Sequence, residues 1–429
     1  MIQPIVREDL LYYLWTTKNF NHSELKTIHG KEVTIVNYGL RNDNSGPDFS
    51  DGQVLIDGML WAGNIEMHVY SSDWDKHCHD LDAAYDNVIL HVVYEFDKEI
   101  ITSKERTIPT IELKGRIPRN ILSGYARLIS NNLWIPCENS FYKINQDQIY
   151  FWLQRLNIER IEEKSRRLKA ILSENEFDWE ESSYIYLARY MGSKVNRDPF
   201  EHLARILPKK LLVRNSYSVD NLEALLYGQA GMLQADFEDE YFKNLKNNYS
   251  FLKLKYKMQP MIPVSWKFSR MRPTGFPTIR ISQFAQLIKN IGPIFSTIIE
   301  MEDTNDLKQL FQSQASDYWK THYTFGKRTN STSKKLSSSF IELLIMNVAI
   351  PLMYTYGSYI GNEMYVERAL FHLENLSPED NKIIRGYNKL GFKAKSAADS
   401  QALLQLKLNY CDKKHCLSCS IGNTLIKAK

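Results

Sequence analysis

Residues 45–70 read SGPDFSDGQVLIDGMLWAGNIEMHVY, two strand candidates joined by a tight turn. Asp57-Gly58 is a strong two-residue hairpin signal, because such turns need backbone conformations that Asp and Gly tolerate. The arm before it is 53–56 and the arm after it is 60–70. In the second arm Ile65, Met67 and Val69 alternate with Asn64, Glu66, His68 and Tyr70. Strand side chains point alternately to opposite faces, so one face is apolar and the other carries the chemistry.

Upstream, residues 8–20 (EDLLYYLWTTKNF) place Leu11, Leu14 and Trp15 on one helical face. Residues 31–38 predict a strand, followed by the polar turn RNDNSGP. Downstream, 71–86 (SSDWDKHCHDLDAAYD) predict a short helix capped by Ser71 or Ser72. Residues 88–96 (VILHVVYEF) form a continuous apolar, β-branched run, as in a central strand covered on both sides. A charged turn at 97–106 leads to a short strand at 107–113. Helix, three meandering strands, helix, strand is an α/β arrangement around a mixed sheet. Beyond Arg116 the pattern turns mainly helical. The division this suggests is an α/β domain at 1–130, a connector at 131–147, and a mainly helical basic region at 148–429 that ends in a cysteine motif. Residues 258–280 read as an extended arm, and 324–339 as the most mobile segment.

Of 429 residues, 43% are hydrophobic and 24% charged, an ordinary globular balance. The net charge of +4 hides an asymmetry, −7 over residues 1–150 and +11 over 151–429. An acidic region suits metal ions and a basic one suits polyanions such as DNA. No run approaches the ~20 apolar residues of a membrane span, so no membrane partner is expected. The most apolar stretch, 340–356, carries Glu342, Asn347 and Pro351 and predicts a buried helix. The N-terminus lacks the basic start of a secretory signal. An odd count of five cysteines without disulfide-like spacing fits a reducing, cytoplasmic setting.

Four of the ten histidines fall between residues 68 and 91: His68, His77, His79 and His91. Acidic residues crowd the same window. Carboxylates suit magnesium and manganese, and imidazoles suit zinc, iron or manganese. His91, in an apolar run, is expected to be a satisfied core histidine. Asp73 is expected to cap a helix and Trp74 to anchor the core.

Pro47-Asp48, a hairpin, then Glu66-Met67-His68 resembles the signature of the PD-(D/E)XK nuclease superfamily. The resemblance implies a restriction-endonuclease-like fold and a metal-dependent nuclease that hydrolyses DNA phosphodiesters. Asp48 and Glu66 would share one Mg2+ or Mn2+, and His68, where that family has lysine, would position or deprotonate the attacking water. His77, His79, Asp82 and Tyr85 would support the site from the following helix. Two other readings remain open. One is a non-catalytic nucleic-acid-binding or assembly protein with a degenerate nuclease fold. The other is a metal hydrolase built on His68, His77 and His79. The chain also resembles an uncharacterised bacterial family of about this length. That resemblance rests on Gly46 to Phe49, Glu66 to His68, Ser72 to Trp74, His77 to His79 and Leu90 to Val93.

Cys411, Cys416 and Cys419 give C-x4-C-x2-C near the C-terminus. A tetrahedral Zn2+ or an iron–sulfur cluster needs four ligands. Cys137 is the obvious fourth, with His415 an alternative for zinc, and unmetallated packing thiols remain open. Some nucleases similar to the superfamily hold a 4Fe-4S cluster on one distant cysteine and three near the C-terminus. Finally, Lys267, Arg270, Arg272 and Arg280 interleave with Trp266, Phe268 and Phe276. Such a pattern can stack on bases and meet phosphates, or the aromatics can be core and the cations solvated.

Overall fold

Asp57 and Gly58 both adopt positive φ, 49° and 78°, as a two-residue hairpin turn requires. The arms they join are longer than the sequence suggests. In the computed structural model, which describes residues 6–42, 44–102, 106–262 and 265–428, the first elements are α1 (Glu8–Thr17), β1 (Val33–Asn37), β2 (Leu40–Arg41), β3 (Phe49–Ile56) and β4 (Met59–Tyr70). Residues 103–105 of the charged turn and 263–264 of the expected arm lie outside the described residues. β3 pairs antiparallel with β1, β2 and β4. α1 ends where Lys18 turns left-handed and its N–H caps Leu14 and Trp15. It buries Leu10, Leu11, Leu14 and Trp15, and Trp15 and Tyr12 pack on Phe49.

The predicted helix at 71–86 is broken. α2 (Asp73–Lys76) is a single turn, followed by 3-10 turns at His79–Leu81 and Ala83–Tyr85. Cys78 is left-handed at φ 58°, and Asp82 is extended with its Oδ1 accepting from Ala84 N–H at 2.9 Å. Asp82 therefore shares no helical face with His79 or Tyr85. This short crossover leads into β5 (Val88–Glu95), parallel to β4, and then β6 (Thr110–Glu112), parallel to β5. The sheet is mixed, in the order β1-β3-β4-β5-β6. Residues Val88 to Tyr94 are all buried, so the continuous apolar run is a central strand.

By contacts the chain forms two compact units, residues 1–152 with 406–429, and residues 153–405. The C-terminal stretch, grouped by sequence with the helical region, folds with the sheet unit. There the helix Ser420–Lys427 lies on α3 (Arg119–Ser130), so close that a Cβ on Gly124 would stand 2.9 Å from Ile426 O. It also meets α1, where Tyr13 Oη donates to Asn423 Oδ1 at 2.7 Å.

The second unit is mainly helical. Its helices include Trp179–Met191, Val219–Gln229, Glu240–Tyr256 and Pro277–Ile291. The apolar stretch forms a helical run, Ser338–Ile360, long and apolar enough by length and composition to cross a membrane. Most of it is buried inside the unit, as the core helix of a folded domain would be. A π-helical turn, Ile345–Ala349, precedes Pro351, which has no N–H to give. The segment expected to be most mobile is pinned instead. It contributes a strand, Lys327–Arg328, paired with His322–Thr324. Lys334 is buried with its ammonium 4.0 Å from the Tyr323 ring centre.

Glu223 sits in this core, accepting from Tyr241 Oη at 2.8 Å and from Ser282 Oγ. Burial pushes its carboxyl up to about 7, with those hydrogen bonds opposing. The folded state thus holds this proton more tightly than the unfolded state does. Its contribution is full below the unfolded pKa and falls away as pH rises towards 7, by about 3 kcal/mol in all. Glu223→Gln is expected to flatten the chemical-denaturation stability between pH 4.5 and 7 relative to wild type. Parallel slopes for the two proteins would show that Glu223 titrates normally.

Candidate metal centre

β4 alternates faces, so Glu66 and His68 point together to the side opposite Ile65 and Met67. In the parallel β4–β5 register Glu66 is partnered by His91, which places the His91 ring beside them on the same face. Glu66, His68 and His91 are buried, at 5%, 1% and 0% exposure. The broken crossover then folds back over this face. Trp74, 1% exposed, lies against His79 and His91 with ring centres 5.2 and 5.4 Å apart, and its Nε1 donates to Asp80 Oδ1 at 2.9 Å. Trp74 is the core anchor expected, and it also roofs the site. Asp73, expected as the helix cap, is instead the first residue of α2, after Ser72, and its Oδ2 accepts from Tyr70 N–H at 3.0 Å.

The left-handed Cys78 turns the chain so that its two flanking histidines aim inward. His68 Nε2 stands 3.1 Å from His77 Nδ1 and 3.3 Å from His79 Nε2. Glu66 Oε1 is 3.3 Å from His79 Nε2 and 3.6 Å from His68 Nε2. The ligand nitrogens of His68, His77 and His79 all lie within 4.8 Å of one another. Four donors bound at ~2.0–2.1 Å around one tetrahedral ion would stand about 3.3 Å apart. His77 is exposed, so the centre opens to solvent on that side.

The convergence brings together nitrogen lone pairs that a metal ion would take. A neutral imidazole has a single N–H. His68 Nδ1 pairs with His91 Nε2 at 2.9 Å, while its Nε2 faces two nitrogens and a carboxylate. Burial, and then neighbouring histidine charge, holds His68 neutral down to about 2, and burial holds His91 neutral down to about 3. In the tautomer that donates Nδ1–H to His91, the Nε2 lone pair of His68 is free to coordinate. A ligand histidine oriented through its other nitrogen is the usual second layer of a metal site. His91 is thus a buried partner of the cluster, and its own Nδ1 has no partner among the described residues.

Asp48 sits one hydrogen bond away. Its N–H donates to Glu66 Oε2 at 3.0 Å, and its Oδ2 accepts from Met67 N–H at 3.0 Å. Its Oδ1 accepts from Arg41 at 3.2 Å. Burial, and then the charge of Glu66, raises its carboxyl well above the usual carboxylate range, against Arg41, the Met67 N–H and Tyr12. Arg41 itself stacks on Tyr12, 3.6 Å from the ring centre. Tyr85 stacks on His79, with ring centres 3.9 Å apart. Asp82 is exposed and engaged with its own turn.

The other sequence candidates lie elsewhere in the chain. Trp266 is core, its Nε1 donating to Ala230 O at 2.8 Å. The Arg280 guanidinium lies 3.5 Å from the Phe340 ring centre and reaches Gln283 at 3.0 Å. Burial pushes it down to about 10, still charged at neutral pH. Lys267, Arg270 and Arg272 are exposed.

A model of the family described as "Protein of unknown function (DUF2851)" matches residues 8–382. The chain belongs to this family. The match takes in the whole histidine centre and stops short of the three C-terminal cysteines. No curated protein and no solved structure matches the chain.

Proposed function

We propose that this chain is a metal-dependent hydrolase whose ion is held by His68, His77, His79 and Glu66, and that its substrate is a nucleic-acid phosphodiester. The observation that carries the reading is the convergence of the His68, His77 and His79 nitrogens, all within 4.8 Å of one another, with Glu66 Oε1 3.3 Å from His79 and 3.6 Å from His68. Three imidazoles to one carboxylate suit Zn2+ or Mn2+ better than Mg2+. A bound ion would supply Lewis acidity at a site that opens on the His77 side.

The chain's own residues prepare that chemistry. His91 orients His68, the Asp48 N–H fixes one oxygen of Glu66, and Trp74 excludes water from the inner side. Support for a phosphodiester comes from the Pro-Asp, hairpin, Glu-x-His order on adjacent strands of a mixed sheet, which resembles the nuclease pattern. Here Glu66 faces the histidines directly, whereas Asp48 braces it.

His68→Lys separates this reading from an ordinary nuclease triad. A triad with its usual lysine would keep or raise metal-dependent DNA cleavage. The histidine centre would lose a ligand and place an ammonium among the remaining imidazoles. The expected result is a fall in bound metal, measured by elemental analysis after gel filtration, with cleavage lost in parallel. Retained cleavage in Mg2+ would favour the triad.

A further inference from the structure

The helical unit contains a cavity of about 910 Å³, at the upper end of the ~300–1,000 Å³ typical of small-molecule sites. Its walls come from the helix Pro277–Ile291, the start of the helix Val219–Gln229, and two irregular segments at 312–317 and 335–338. Hydrogen bonds fix those walls. Ala315 N–H donates to Lys334 O at 3.1 Å, and Leu336 N–H to Ser313 O at 2.8 Å, so the two segments hold each other. Ser313 Oγ donates to Gln283 O at 2.6 Å and Gln283 Nε2 to Lys334 O at 2.8 Å, which ties both segments to the helix. Ser316 N–H donates to Ser282 Oγ at 2.9 Å, on the buried network around Glu223. The cavity is therefore pre-formed.

Four carboxamides line it. Gln286 and Asn290 stand one turn apart on the helix, and Gln312 and Gln314 lie two residues apart on the first segment. Among the described residues none of these four side chains has a hydrogen-bond partner. Gln283, on the same helix but buried, is satisfied at both ends, its Oε1 accepting from Arg280 at 3.0 Å. Leu336 and Ile341, 6% and 7% exposed, supply an apolar surface beside the amides. Two aspartates and two lysines also line the cavity, so its formal charge is zero. Asp317 is paired with Lys320 at 2.7 Å and Lys308 with Glu342 at 3.0 Å. Asp220 and Lys335 have no ion-pair partner among the described residues.

A carboxamide presents a donor and an acceptor side by side in one plane, matching the adjacent donor and acceptor of a nucleobase edge. A purine has two such edges, enough for carboxamides carried by two different elements. An unpaired carboxylate is the usual acceptor for ribose hydroxyls. A lining without net charge suits an uncharged ligand better than a polyanion. We propose that this cavity binds a purine ribonucleoside, with its base edges on the carboxamides, its ring face on Leu336 and Ile341, and its ribose hydroxyls on Asp220. The site is separate from the histidine centre and does not depend on the hydrolase reading.

The test is equilibrium dialysis of the full chain against adenosine, guanosine, cytidine and uridine, with the 2′-deoxy form and 5′-monophosphate of whichever binds. One equivalent of a purine nucleoside should bind saturably, and its 2′-deoxy form about tenfold more weakly, the effect of losing ~1.4 kcal/mol. Asn290→Ala and Gln312→Ala, at exposed positions, should each weaken binding about tenfold, at an unchanged melting temperature. His79→Ala should bind the nucleoside as wild type does, whether or not the hydrolase reading holds. Loss of binding in His79→Ala would place the nucleoside at the histidine centre and overturn the proposal. So would no saturable binding by roughly 1 mM of any of the four, a preference for a pyrimidine, or unchanged affinity in either amide variant. Equal binding of the 2′-deoxy form, or a monophosphate that binds about tenfold more tightly than its nucleoside, would overturn it as well.

Discussion

His79→Ala is expected to leave the protein folded and nearly free of bound transition metal after gel filtration, with metal-dependent cleavage of DNA reduced to background. Its nitrogen makes two of the close approaches that define the centre, 3.3 Å to His68 and 3.3 Å to Glu66. His91→Gln should behave differently. His91 touches no metal but holds His68 through Nδ1 at 2.9 Å. Loss of such an outer partner typically weakens metal binding 10–100-fold without abolishing it. Competition with a calibrated chelator measures both. Equal affinities for wild type and His79→Ala would remove His79 from the ligand set and, with it, the proposed function.

Trp74→Ala should produce the largest loss of stability. Trp74 is 1% exposed and packs with Val88, Ile100 and Ile108 as well as with three histidine rings. Truncating a fully buried tryptophan costs about 3–5 kcal/mol, from lost burial and the cavity left behind. For a unit of this size that is a fall of roughly 6–20 °C in its melting temperature. Trp74→Phe, which keeps most of the packing, should recover much of it. A calorimetric shift for Trp74→Ala below about 1 kcal/mol would mean that the roof is not structural.

Much of the sheet is readable without coordinates, because its signals are local. Asp57-Gly58 fixes a turn, the alternation from Asn64 to Tyr70 fixes which residues share a face, and the unbroken run from Val88 fixes a strand covered on both sides. The crossover is harder. The spacing of Trp74, His77 and Leu81 suits a helix, but the left-handed Cys78 and the extended Asp82 divide it. Neither residue type announces that break. His91 was readable as buried but not as a partner of His68, because the parallel β4–β5 register depends on how the crossover is spent. Arg41 and Tyr12, which meet at Asp48, carry no motif at all. The cysteine spacing gives no sign that Lys414, between two of them, reaches the end of α3 through Ile129 O and Asn131 O.

The order of the chain carries a consequence for how the protein is made. The sheet unit is written in two pieces, with residues 153–405 between them. During synthesis, α1 and α3 emerge before residues 153–405, whereas the helix Ser420–Lys427 that packs on both emerges only after them. At ~5–20 residues per second, the ribosome needs about 13–50 s to traverse the intervening stretch. Throughout that interval the apolar side of α3 lacks its lasting cover, while the helical unit can fold as a contiguous segment. The unit that begins first is therefore completed after the helical unit, and its nascent form offers a chaperone a defined surface for a defined time.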